Sequence, residues 1–236
     1  MDKRVVLKLS GEALGADGKG FDHDKFDAAA RMLIGVCQAG VELAVVIGAG
    51  NVWRGRRGPS ERMGAVAADE MGMLGTLQNC LYMADALERA GQPARVLTAI
   101  EMPRVADTYT VRAAQSAMAA GEIVLLACGL GNPFFSTDTA VALRALELEA
   151  DVLLLAKNID GVYTADPRVH PDAKLIPDLT YQEAAERDLR VMDAAAFCLL
   201  RDNRFPRVRL FSLSDPGNIL KVLNGDPMGT LLHPGV

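Results

Sequence analysis

The sequence predicts an α/β fold, a three-layer αβα sandwich with a largely parallel central sheet. Continuous apolar runs such as Leu43–Ile47 and Asp151–Ala156 have the composition of strands buried on both faces. Stretches with helical period alternate with these runs, and that alternation implies parallel pairing with helices on both faces. Glycine-bearing turns follow the runs at Ser10, Gly48 and Gly129, where open parallel sheets place their ligands.

The elements follow in order. Arg4–Leu9 (RVVLKL) reads as a first strand, broken by Ser10-Gly11. From Asp24 to Ala39 apolar residues recur at Phe26, Ala30, Leu33, Ile34 and Cys37, a helical period that Gly40 stops. Leu43–Ile47 is the second strand and Gly48–Gly58 a loop. Met63 to Ala90 is a long helix ended by Gly91 and Pro93. Ala94–Ala99 is a strand, Val111–Ala120 a helix and Glu122–Ala127 a strand. Thr137–Ala150 is apolar almost all round and predicts a buried helix leading into the strand Asp151–Ala156. Beyond it, Gly161–Pro177 is rich in Gly, Pro and Asp and reads as a loop or small hairpin. Helices at Tyr181–Arg187, Ala194–Arg201 and Pro216–Leu223 surround a strand at Arg207–Phe211, and Met228–Leu232 returns as a last strand. The change of texture near residue 157 suggests two lobes with a cleft between them, within one domain spanning 1–236.

Composition limits what such a molecule does. Half of its 236 residues are hydrophobic and 23% are charged, which suits a globular chain with a sizeable core and excludes disorder. A net charge of −5 gives no diffuse positive field for nucleic acid, so an anionic ligand would need local groups to hold it. No apolar run approaches the roughly 20 residues that span a bilayer, and the first strand begins too early for a signal peptide, so a cytoplasmic location without membrane contact is expected. Cys37, Cys80, Cys128 and Cys198 are scattered and form no CxxC pair, which suggests small buried hydrophobes rather than a metal site or disulfides.

The chemistry is expected in the turns. In Lys8-Leu9-Ser10-Gly11-Glu12, Gly11 lets backbone approach a phosphate and Lys8 supplies a point charge; the alternative is an edge-strand lysine kept for solubility. Gly48-Ala49-Gly50-Asn51 continues to Arg54, Gly55, Arg56, Arg57 and Gly58, either an anion nest with forked donors or a solvated basic loop. In the third turn, Gly129 to Asp138, Ser136 or Thr137 caps the next helix and aims its dipole at the loop. Asp138 is either a partner of that dipole or a group that orients a lysine, and Phe134 and Phe135 either wall a base or pack, with packing expected of at least one.

Other chemistries fit less well. A dinucleotide fingerprint GxGxxG would need glycine where Trp53 stands, and there is no GxxxxGK[ST] phosphate loop. HExxH and GxSxG are absent, and His23, His170 and His233 lie in loop-like or terminal contexts. Phosphoryl transfer needs no nucleophilic side chain, because positioning and charge neutralisation supply most of the catalysis. A non-catalytic nucleotide sensor would be expected to lose the charged pair Lys8 and Asp138, and both are present.

KLSGEAL at 8–14, VIGAGNVWRG at 46–55, GNPFFSTD at 131–138, DGVYTADP at 160–167 and VMDAAAF at 191–197 resemble the bacterial uridylate (UMP) kinases, a branch of the amino acid kinase family. The motifs run in order from Arg4 to about Leu232, and GNPFF followed by [ST]TD is specific to that branch. The resemblance implies transfer from ATP to UMP in pyrimidine biosynthesis, with Mg2+ carried on ATP. It implies an acceptor lobe over about residues 1–156 and an ATP lobe over about 157–236. Lys8 and Asp138 would be catalytic, Lys8 stabilising the transferring group and Asp138 organising Lys8. Lys8, Leu9, Ser10, Gly11, Gly50, Arg54, Asn158, Tyr163 and Asp166 would bind ATP. Ala49, Asp69, Leu130, Gly131, Asn132, Pro133, Phe134, Phe135, Ser136 and Thr137 would bind UMP, with Asp69 on its ribose.

The resemblance further implies a GTP activator, a UTP inhibitor and a homohexamer. Ala16–Phe21 (ADGKGF) falls where some relatives bind GTP and reads equally as a plain glycine turn. Met63, Met71, Met73 and Met83, with Leu74, Leu77 and Leu81, give the long helix more apolar surface than one face needs, for the core or for a dimer contact. Relatives commonly carry three glycines where this chain has Gly48-Ala49-Gly50, and the segment Ala156-Lys157-Asn158-Ile159 departs from the family's ATP loop, leaving Lys157 and Asn158 both open as ATP contacts.

Overall fold

A computed structural model describes residues 3–16, 19–54, 62–157, 159–189, 191–212 and 217–235. Gly55, Arg56, Arg57 and Gly58 of the basic turn, Asn158, and Asp17-Gly18 of the ADGKGF segment lie outside the described residues.

The chain runs β1 (Arg4–Leu9), a 3-10 turn (Gly11–Leu14), α1 (His23–Gln38), β2 (Glu42–Ile47), α2 (Ala65–Arg89), β3 (Ala94–Thr98), β4 (Asp107–Thr108), α3 (Val111–Ala119), β5 (Ile123–Ala127), α4 (Thr137–Glu147) and β6 (Val152–Lys157). It continues with β7 (Val162–Tyr163), β8 (Leu175–Ile176), β9 (Asp178–Thr180), α5 (Tyr181–Glu186), α6 (Ala194–Asp202), β10 (Val208–Ser212), α7 (Asn218–Leu223) and β11 (Thr230–His233). Among the described residues, nine strands form one sheet in the order β4-β3-β5-β2-β1-β6-β10-β11-β9, and only its β10–β11 pair is antiparallel. The Gly161–Pro177 stretch is a small antiparallel hairpin of β7 and β8.

Two cores fill the sandwich, one on each face of the sheet. Val5, Leu7 and Leu9 of β1 pack towards α1, α2 and α7, through residues such as Phe26, Leu33, Met83, Leu87 and Ile219. Val6 faces the other way, with Ala44, Val46, Leu153 and Leu155, towards α3, α4, α5 and α6. Strand side chains alternate with period two. Lys8 therefore shares the face of Val6, and Lys157 shares that of Leu153 and Leu155. In the parallel register Lys8 lies opposite Leu155, so the two lysines stand near the ends of adjacent strands on the same side, two residues apart in register.

Most predicted ends hold to within a residue or two, because caps fix them. Asp22, Thr110, Ser136 and Asp193 accept backbone N–H bonds at the starts of α1, α3, α4 and α6, and Thr180 with Glu183 forms a capping box on α5. Gly40 and Gly91, at φ 86° and 83°, follow the ends of α1 and α2 where a left-handed residue closes a helix. The helix α4 stops at Glu147, three residues before the expected Ala150, as Glu149 turns to φ 54° and the chain reverses into β6. Two strands, β4 and β9, lie in segments with no strand signal; each is two or three residues long.

Cys80 and Cys128 are buried as expected, but Cys37 is only partly covered and Cys198 is exposed, on the outer side of α6. Phe134 and Phe135 are 65% and 53% exposed, so neither packs into the core as expected of at least one of them. Among the described residues, no helix is long and apolar enough to cross a membrane.

Candidate active site

The three turns come from β1, β2 and β5, which are neighbours in the sheet, so they line up along the carboxyl ends of its strands. Contact between the first two turns explains Gly11 and Gly50. A Cβ on Gly11 would overlap the Gly48 carbonyl oxygen and stand 2.5 Å from Asn51 Oδ1, and a Cβ on Gly50 would lie 2.7 Å from Glu12 Cγ. The backbones meet directly, and the Gly48 N–H donates to the Leu9 carbonyl at 3.0 Å. Asn51 and Asn79, both buried, exchange side-chain amide bonds of 2.9 Å, while Asn79 Nδ2 donates to the Gly48 carbonyl at 2.8 Å. That reciprocal pair pins the second turn to α2.

The third turn carries unusual backbone. Cys128, Gly129, Gly131 and Phe134 have φ of 61°, 58°, 73° and 71°. Two of these four have side chains, and such residues hold positive φ only when neighbours impose it. Thr76 Oγ1 accepts the Cys128 N–H at 2.9 Å, and Asp69 Oδ2 accepts the Phe134 N–H at 2.7 Å. Behind the turn, Arg144 donates to the Gly129 carbonyl at 3.3 Å, pairs with Glu147 at 2.6 Å and lies 3.8 Å over the Tyr109 ring. A Cβ on Gly131 would come within 2.8 Å of the Ala99 carbonyl.

At the junction of β1, β6 and α4, Asp138 forms an ion pair with Lys8, and its other oxygen lies 3.7 Å from Lys157 Nζ. Lys8 and Asp138 are only 15% and 17% exposed, so solvent screens them weakly. Burial alone would raise the Asp138 pKa; Lys8 and then Lys157 outweigh it and hold the carboxyl below its usual range. Burial pushes Lys157 down, against the pull of Asp138. Lys157 also donates to the Val191 carbonyl at 2.9 Å. The Asp193 carboxylate also acts on Lys157, so two ammoniums and two carboxylates gather at the strand ends, and Lys8 and Lys157 are the cations there that an anion can meet.

Beside this junction opens a cavity of about 520 Å3. Of the expected acceptor set, Ala49, Asp69, Leu130, Asn132, Phe135, Ser136 and Thr137 line it, together with Gly50 and Arg54 from the ATP set. Gly131, Pro133 and Phe134 shape the loop without lining the cavity, and Lys8, Leu9, Ser10, Gly11 and Asp138 stand outside its lining. The Leu9 side chain is buried in the opposite core, so only its backbone faces the turn. Tyr163 and Asp166 lie apart, on or next to the β7–β8 hairpin, where Tyr163 donates to Asp160 at 2.8 Å and Asp166 pairs with Arg168 at 2.9 Å. Arg54 pairs with Glu12 at 3.6 Å across the cavity mouth.

Several of these residues escaped the sequence reading. Glu12, Trp53, Gly72, Met73 and Thr76 line the cavity too, and Trp53 Nε1 donates to the Ala68 carbonyl at 2.8 Å. Asp69, Gly72, Met73 and Thr76 stand at i, i+3, i+4 and i+7, so one face of α2 forms the cavity wall. Asp193 joins two helix starts: it caps α6 through the Ala196 N–H at 2.9 Å and accepts the hydroxyls of Ser136 and, at 3.1 Å, Thr139. An aspartate directly before AAAF was a legible cap; its reach to α4 was not. Among the described residues, no cluster of three or more His, Cys, Asp or Glu side chains is arranged to hold a metal ion.

The model of the Amino acid kinase family matches residues 3–212. The chain belongs to that family. Among curated amino acid kinases it is 48% identical over 234 residues to the Uridylate kinase of Nocardioides sp., covering 99% of this chain and 98% of that one. The Uridylate kinase of Corynebacterium efficiens is 46% identical over 231 residues, covering 98% and 95%. Among solved structures, the fold of this amino acid kinase is similar to UMP kinase from Bacillus anthracis, with TM-score 0.94, 34% identity and coverage of 100% of this chain and 97% of that one. UMP kinase from Ureaplasma parvum matches with TM-score 0.92 and 30% identity, over 99% of both chains.

Proposed function

We propose that this chain is a UMP kinase, transferring the γ-phosphoryl group of ATP to UMP to give UDP and ADP in pyrimidine nucleotide synthesis. The observation that carries the reading is the Lys8–Asp138 ion pair, flanked by Lys157 and set beside a cavity lined by Asp69, Ser136 and Thr137. Near-full-length likeness to uridylate kinases supports the choice of UMP over other acceptors.

In this reading UMP occupies the cavity, its ribose towards Asp69 and its phosphate towards the α4 start, with Gly50 and Arg54 at the ATP phosphates that meet it. ATP lies across the Ser10-Gly11 turn, its adenosine half towards Tyr163 and Asp166, and brings Mg2+ as part of the substrate. Transfer is in line, from the γ-phosphorus to a UMP phosphate oxygen, and no side chain forms a covalent intermediate. Lys8 neutralises charge on the transferring group, and Asp138 aims Lys8. The backbone amides of the glycine turns fix both phosphates. An acceptor lobe at about residues 1–156 and a donor lobe at about 157–236, joined through one sheet, belong to the same proposal.

So do a cytoplasmic location, GTP activation, UTP inhibition and a homohexamer. Val66, Met71, Leu74 and Leu81 are exposed along α2 and supply apolar surface for a subunit contact. Light scattering of the purified chain tests the assembly, and initial rates with each nucleotide test the effectors. The deciding experiment is coupled ADP release with Mg2+ and ATP, comparing UMP with CMP, AMP, aspartate and acetylglutamate. Turnover with UMP alone is the expected result; turnover with an amino acid would overturn the acceptor while keeping the fold.

A further inference from the structure

Gly75 sits inside α2, where glycine weakens a helix relative to alanine. Its surroundings explain it. A Cβ at Gly75 would stand 3.0 Å from the Ala49 methyl and 3.5 Å from Val52 Cβ, so the missing side chain makes room for Ala49. Ala49 starts the second turn: its carbonyl accepts the N–H groups of Val52 and Trp53 at 2.9 and 2.8 Å, and it lines the cavity.

The turn cannot slide away from α2 to relieve crowding. Asn79, one helical turn beyond Gly75, holds both Asn51 and the Gly48 carbonyl, and Trp53 is bonded to the Ala68 carbonyl. With its ends fixed, the turn meets added volume at position 75 first at Ala49, which must give by a few tenths of an ångström and which lines the cavity.

We infer that Gly75 and Ala49 form a size-matched pair that sets the wall of the acceptor site, Gly75 acting as a positioning residue for UMP without touching it. The assignment of UMP rests on the function proposed above; the packing relation does not. Gly75→Ala should raise KM for UMP about fivefold or more, in the range of an overpacked core site, while KM for ATP stays within about twofold. Adding Ala49→Gly to Gly75→Ala should recover most of that loss, because the methyl has then moved from one partner to the other.

Thermal unfolding of the same proteins without ligand keeps the two readings apart. Helix preference alone would make Gly75→Ala raise Tm by about 2 °C. The pair predicts a lower Tm, restored in the double variant. Should no protein turn over UMP while Tm follows this pattern, the proposed function fails and the pair stands. A Gly75→Ala protein of raised Tm and unchanged KM overturns the pair, as does a double variant no better than Gly75→Ala.

Discussion

Lys8 is the last residue but one of β1, on the face of Val6, and its partner Asp138 is the second residue of α4, so the charge pair joins a strand end to a helix start. The alternative of an edge-strand lysine is removed by the sheet order, which puts β1 between β2 and β6. The position of Asp138 suits both of its readings, since it lies in the first turn of α4 and also pairs with Lys8. Lys8→Ala should lower kcat about 100- to 1000-fold while the Kd for UMP moves by less than about threefold. Equal losses in both, measured by initial rates and calorimetry, would sink the assigned role. Asp138→Asn leaves two ammoniums without their carboxylate, and kcat should fall with Lys8 still present. Phe134 and Phe135 show the limit of residue-level reading: packing was expected of at least one, yet both are exposed, Phe134 at φ 71° and Phe135 against the cavity.

At the scale of elements, the strands were legible because buried parallel strands leave unbroken apolar runs, and the helices because their caps are short polar residues at fixed offsets. The strands β4 and β9 were not, since two or three residues carry no period; their partners β3 and β11 define them. Least legible was the tie between elements distant in sequence. Asp193 binds α6 to α4 through Ser136 and Thr139, over more than fifty residues. Asp193→Ala should cost about 2–4 kcal/mol in urea unfolding, as a lost cap plus lost bonds to a charged acceptor, and should raise KM for UMP as the Ser136–Thr137 edge loosens. Asp193→Asn keeps the cap and should recover much of the stability. A stability loss with KM unchanged would reduce Asp193 to a structural tie.

For the whole molecule, acid is the expected weak point. Asp151 accepts the backbone N–H groups of Arg4 and Lys3 at 2.8 Å each, joining the start of β1 to the start of β6. Those bonds, that of Arg4 first, hold its carboxyl below the usual range. In acid the unfolded chain then binds more protons than the folded one. The stability from Asp151 is full above about pH 4 and is lost as pH falls through the lower folded value. Asp151→Asn should lower Tm by about 2–4 °C at neutral pH, with the gap to the parent closing towards about pH 3 and UMP turnover unchanged. A gap that persists in acid would remove Asp151 as a source of the pH dependence. One consequence of the sheet order remains. Among the described residues, the strand carrying Lys8 is the fifth of nine, with four strands on either side. It is paired along its length to β2 on one side and β6 on the other, so Lys8 stands on the strand farthest from either free edge of the sheet. Fraying that starts at an edge strand reaches the lysine last.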